Sequence, residues 1–185
     1  WGGFFAGEQY NFLIFGQQNR NESDATEVVR VVKYDKTWNR LGQASVYGAN
    51  TQQPFSAGSL RCAEADGFLY IHPSHTMYRT DDGKNHQANM NIVVREQDMQ
   101  VTRTDDGIGG YTGYVSHSFN QFILAASNGD IVTLDQGDGY PRSFILYDFF
   151  GAAGADSFSH GGLDAFGSAK FQAFPGEIGR NDTGA

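Results

Sequence analysis

The sequence predicts an all-β fold: about three four-stranded antiparallel blades of a β-propeller, forming part of a larger ring. Three observations predict it. First, the apolar tetrads Phe12-Leu13-Ile14-Phe15, Phe68-Leu69-Tyr70-Ile71 and Phe122-Ile123-Leu124-Ala125 recur at a period of about 54–56 residues, the length of a repeated supersecondary unit. Second, each tetrad follows a turn and precedes a polar loop and a further apolar strand. Third, Val, Ile, Tyr and Phe dominate these segments, with Gly and Asp at short intervals, which favours strands over helices. The units run roughly over 1–58, 59–112 and 113–185 within a single repeat domain. At least ten strands and almost no helix are expected. The alternative architecture is a two-sheet β-sandwich.

The turns fix the elements in order. In the first unit Gln9-Tyr10-Asn11 precedes the tetrad, the strand 28–34 runs into Asp35-Lys36-Thr37, and an outer strand starts with the large apolar residue Trp38. In the second, Asp66-Gly67 separates 60–65 from 68–72, a strong two-residue hairpin signal. Its strand 90–95 runs into Glu96-Gln97-Asp98 and an outer strand at Met99, repeating the pattern of the first unit. Asp81-Asp82-Gly83 and Asp105-Asp106-Gly107 mark further turns. In the third, Asn120-Gln121 takes the place of Asp66-Gly67, and Asn128-Gly129 separates 122–126 from 131–134. The strand 143–149 follows, with an outer partner at 169–174 beyond a glycine-rich insertion at 151–167. A lone antiparallel sheet of this composition cannot bury both faces, so the blades pack face to face. Three blades do not close a ring, and the chain opens on Trp1. The expectation is a piece of a longer polypeptide, whose Phe- and Tyr-rich end faces are covered by further blades of the parent chain or of another copy.

Bulk properties narrow the partners. A formal net charge of −8 repels phosphate backbones, so nucleic acid is not expected. No run of about 18 apolar residues exists to span a membrane. Cys62 is the only cysteine, which rules out an internal disulfide, and its strand context suits a small buried apolar group better than a nucleophile.

Aligning the units separates scaffold from special positions. His117 stands opposite Ala63 of the second unit. His72, His75 and His86 stand opposite Ala126, Gly129 and Tyr140 of the third, and the first unit has no histidine. His72 and His75, with His86 or His117, have the residue types of a zinc site, although two-residue spacing on a strand end needs a backbone turn, such as Pro73-Ser74, to bring the rings together. Histidines bonded to backbone or water are the competing account, and no metal is assigned. In the 135–142 segment, Asp135 and Asp138 flank Gly137 and can hold calcium with help from carbonyls. Arg142 can pair with one of them instead or present a fork to an anion. The 81–85 loop reads as a plain turn, since it lacks the terminal Glu of a calcium loop. Arg61 and His117 fall on innermost strands, where they can face a channel together with Glu64 and Ser118. Arg61, His72, His75, His86, His117, Asp138 and Arg142 are therefore the candidate ligand-binding residues, in a mixed pocket suited to an anionic saccharide. No nucleophile elbow, phosphate loop or zinc-protease motif occurs.

The segments EVVRVVKYDKTWNRLG (27–42), SLRCAEADGFLYIHPSHTMY (59–78), NHQANMNIVV (85–94), YVSHSFNQFI (114–123) and DQGDGYPRSFIL (135–146) resemble propeller-like repeat modules of large secreted or wall-attached bacterial proteins. The resemblance covers nearly the whole chain. It implies the fold and an extracellular or cell-surface setting, and it carries over no catalytic residue, because these repeats are mostly of uncharacterised function. The expected role is a module for ligand or partner binding, or a structural spacer, without a cofactor. The alternative is a propeller transferase or lyase with a channel His as base and Arg as anion holder.

Overall fold

The computed structural model describes residues 1–56, 60–107, 121–127, 131–137 and 143–149. These form fourteen strands and no helix. β1 (Gly3–Ala6), β2 (Asn11–Gly16), β3 (Glu27–Tyr34) and β4 (Arg40–Tyr47) make a four-stranded antiparallel meander, the first sheet. β6 (Arg61–Ala65), β7 (Phe68–His72), β10 (Asn91–Arg95) and β11 (Gln100–Asp105) make the second, in the order β11-β10-β7-β6. β12 (Gln121–Ala125), β13 (Ile131–Gly137) and β14 (Ser143–Phe149) make the third. The expected strand at 169–174, the insertion at 151–167 and the Asn128-Gly129 turn lie outside the described residues.

One feature departs from the simple repeat. Between β7 and β10 the chain leaves the second sheet as a hairpin, β8 (Ser74–Arg79) and β9 (Asn85–Asn89), which joins β5 (Thr51–Pro54) in a separate three-stranded sheet. Pro73 sits at the exit. It has no amide hydrogen to continue the ladder, while its carbonyl accepts from the Met90 amide at 2.8 Å and so brings the chain back to β10.

The turns explain the strand pairing. Asp66 and Gly67 have φ of 48° and 79°, both in the left-handed region, as a two-residue turn whose twist matches its strands requires. The turn after β3 is tied by Asp35, whose Oδ1 accepts from the amides of Thr37 (2.9 Å) and Asn39 (2.8 Å). These bonds, with the Asn39 side chain first among them, hold its carboxyl down at about 2. Trp38 at the end of that turn and Met99 at the end of the turn after β10 share a left-handed backbone, φ 68° and 58°. The similarity of the two units therefore extends to the backbone of their outer turns.

Strand alternation then stacks the sheets. Leu69 and Ile71 of β7, with Ile92 and Val94 of β10, pack against Phe12, Ile14, Val31 and Val46 of the first sheet. Ala63, Tyr70 and Val93, on the opposite face, pack against Ile123 and Ile131 of the third. The second sheet is thus apolar on both faces and forms the middle of three layers, where a sandwich has two. Burying each large aliphatic side chain contributes about 2 kcal/mol.

Candidate functional site

The turn ends of the first and second sheets enclose a cleft of about 740 Å³. Its walls come from the β1–β2 turn (Glu8, Gln9, Tyr10), the β6–β7 turn (Glu64 to Phe68) and the end of β10 (Arg95, Glu96, Gln97). Register places Glu64 opposite Leu69, which turns its side chain toward the first sheet. There its Oε2 accepts the Glu8 amide at 2.7 Å. Glu96 is anchored by its own amide, which donates to the Gly67 carbonyl at 2.9 Å. Its side chain is only 5% exposed, and its Oε1 has no hydrogen-bond partner. Burial and the neighbouring Glu64 carboxyl push Glu96 up to about 7. Lys33 of β3 is buried beside it, with its ammonium 3.7 Å from the centre of the Tyr10 ring and donating to the Glu96 carbonyl at 2.7 Å. Arg95 is engaged with Asp98 at 2.8 Å and with Gln100. Four carboxyl groups therefore line the cleft, and its one lining arginine is already paired.

The candidates read from sequence occupy other places. His72 is buried, and its Nδ1 faces the Met90 carbonyl at 3.1 Å and Asn91 Oδ1 at 2.6 Å, so Nδ1 carries the ring proton. Asn91 in turn approaches Asp105, which takes Arg103 Nε on both oxygens at 3.0 Å. His75 is buried in the side sheet. Thr51 Oγ1 donates to the Ala49 carbonyl at 2.6 Å and so accepts from His75 Nδ1 at 2.7 Å. Nε2 is then a bare acceptor with no partner, and burial lowers the imidazole to about 4. His86 Nε2 lies 2.9 Å from Asp82 on the β8–β9 hairpin. Asp82 also accepts from Thr80 Oγ1 and the Lys84 amide, and these bonds, Thr80 first, hold it at about 2. The three rings thus serve three separate partner sets. Arg61 is exposed on the edge strand β6, opposite His72 across the ladder. His117, Asp138 and Arg142 lie outside the described residues, and Asp135 is described only as a backbone position of β13, opposite Gln121 and Ile145. Among the described residues no group of three metal-ligating side chains converges.

A second surface stands out on the outer side of the first sheet. Trp38 stacks on Phe4 at 5.8 Å and tilts against Tyr34 at 5.7 Å, and Trp1 meets Phe15 edge-on at 5.3 Å. Trp1, Phe4 and Trp38 are at least half exposed there. A shallow trough of about 390 Å³, floored by Val32 and rimmed by Glu27, Arg30, Arg40 and Gln43, runs along the same face. The third sheet shows a similar outer row in Phe122, Leu124 and Leu134.

Sequence inspection placed Glu64 near a site but passed over Glu96 and Lys33. The only local signal for Glu96 is its position after a β-branched strand, which also suits an ordinary solvated turn. Comparison with protein-family models, curated proteins and solved structures finds no match to this chain.

Proposed function

We propose that this chain is a sheet-stacking module of the propeller type that works by binding, or as a spacer, within a larger extracellular or cell-surface assembly, rather than by catalysis. The observation that carries the reading is the outer face of the first sheet. The second sheet buries apolar side chains on both faces, whereas the first sheet buries one face and exposes Trp1, Phe4 and Trp38 on the other. Clustered exposed aromatics on a sheet mark an interface. The occupant that suits this face is a further antiparallel sheet, because it extends the same sheet-on-sheet contact already made between the first and second layers. The surface setting rests on the resemblance of the repeat segments alone.

Sedimentation of the 185-residue chain at micromolar concentration tests the reading. Self-association that Trp38→Glu abolishes is expected, since a carboxylate on this face opposes desolvation. A stable monomer of the unaltered chain, or association indifferent to Trp38→Glu, rules it out.

A further inference from the structure

We infer that the cleft between the turn ends of the first and second sheets binds an organic cation, an alkylammonium or guanidinium group, held by the carboxyls of Glu64 and Glu96.

Charge comes first. Glu8, Glu64, Asp66 and Glu96 line the cleft, and Arg95 there is committed to Asp98 and Gln100. Glu96 is almost fully buried, yet one of its oxygens lacks any hydrogen-bond donor. A buried acceptor left unmatched costs about 1–3 kcal/mol, more when charged, and a donor delivered by a ligand removes that cost. Lys33 does not supply it: its ammonium donates to the Glu96 backbone carbonyl and leaves Oε1 without a partner. The direction of the Glu96 shift agrees: with Lys33 close by, burial and Glu64 still raise it toward neutrality.

Shape and wall chemistry select the class of cation. Lys33 shows how an alkylammonium is accommodated at this wall, over the Tyr10 ring and against a carbonyl. Tyr10 and Phe68 both line the cleft and offer apolar surface to the carbon frame of a second such group. A divalent metal ion fits less well. Only two carboxyls are brought together, short of the six to eight oxygens calcium takes, and the fixed Lys33 ammonium repels a double charge more strongly than a single one. A cleft of about 740 Å³ also has the size of a small-molecule site, not of one ion. This site lies on the side of the first sheet opposite the aromatic face, so the two binding proposals stand or fall separately.

The test is calorimetric titration of the 185-residue chain with 1,4-diaminobutane at pH 8. One saturable site is expected, weakened at least tenfold in both Glu96→Gln and Glu64→Gln. Below about pH 7 the same titration should release a proton from Glu96, read from the dependence of the heat on buffer ionisation enthalpy. The groups acting on that carboxyl are Glu64 and Lys33, and Tyr10, Glu8, Asp66 and Arg95 line the same cleft. Amide shift mapping on the unaltered chain gives a readout that no variant's folding can obscure: shifts confined to 7–10, 64–68 and 95–97 support the site. Absence of saturable binding, equal binding by the Gln variants, shifts elsewhere, or displacement of the diamine by stoichiometric calcium chloride overturns it.

Discussion

Replacing Glu96 by Gln should change how stability depends on pH, and the sign is fixed by the direction of its shift. Glu96 goes from an ordinary value of 4.5 in the open chain to about 7 in the folded protein, chiefly through burial and then through Glu64. Between those values the folded state binds more protons than the unfolded one. The protonated carboxyl is therefore no handicap below about pH 4.5, and stability is lost as pH rises through 7. At about 1.4 kcal/mol per tenfold change in proton affinity, the loss is about 3 kcal/mol in full. His75 works in the opposite sense within an overlapping window. Burial lowers it from 6.5 to about 4, so its contribution is complete above 6.5 and is lost as pH falls toward 4. The two slopes oppose each other in the unaltered protein, and absolute stability alone will show little. The informative quantity is the difference between unaltered protein and Glu96→Gln, in which every group outside the coupled Glu64–Glu96 pair, His75 included, cancels. Urea unfolding at intervals from pH 4.5 to 8.5 should show the variant gaining about 3 kcal/mol relative to the parent as pH rises, most of it between pH 5 and 8. A constant difference across that range would refute the buried, carboxyl-paired state of Glu96.

Two further outcomes test the scaffold. Gly48 has φ +61°, and an added Cβ would lie 2.7 Å from the Asp24 Cα, so Gly48→Ala should destabilise by about 2 kcal/mol or more in chemical unfolding; a change under about 0.5 kcal/mol would mean that this junction is not built as described. The Cys62 thiol is pushed up to about 12 by burial, so at pH 8 a chromogenic disulfide should modify it at least about tenfold more slowly than a free cysteine until denaturant is added. Rapid labelling of the native protein would contradict the packing of β6 against the first sheet.

Short apolar runs and turn residues made the strands and their order readable in the sequence by itself. Phe12 to Phe15 and Phe68 to Ile71 are strand cores because short continuous apolar runs of β-formers, bounded by turn residues, suit strands with apolar side chains on both faces, and Asp66-Gly67 closes a two-residue hairpin because those residues tolerate left-handed backbone. The matching turns at Trp38 and Met99 were likewise visible as repeated local wording. Local pattern also gave the apolar character of the outer faces, since the residues between core positions, such as Phe4 and Phe15, are themselves aromatic. What the sequence could not decide is where the inserted hairpin goes and which polar groups meet. Pro73 signals an interruption, but pairing of β8 with β5 is a long-range choice set by which free edge the folded sheets leave open. His72 and His75 are three residues apart and suggested a shared ligand. In the fold one belongs to the second sheet and the other to the side sheet, and each ring is satisfied at Nδ1 by a different neighbour. Glu64 and Glu96 are 32 positions apart and unremarkable in local context, yet stacking brings their carboxyls together and removes that of Glu96 from water. Burial and proximity of charges across separate turns are properties of the tertiary arrangement, because desolvation depends on everything packed around a group and not on its neighbours along the chain.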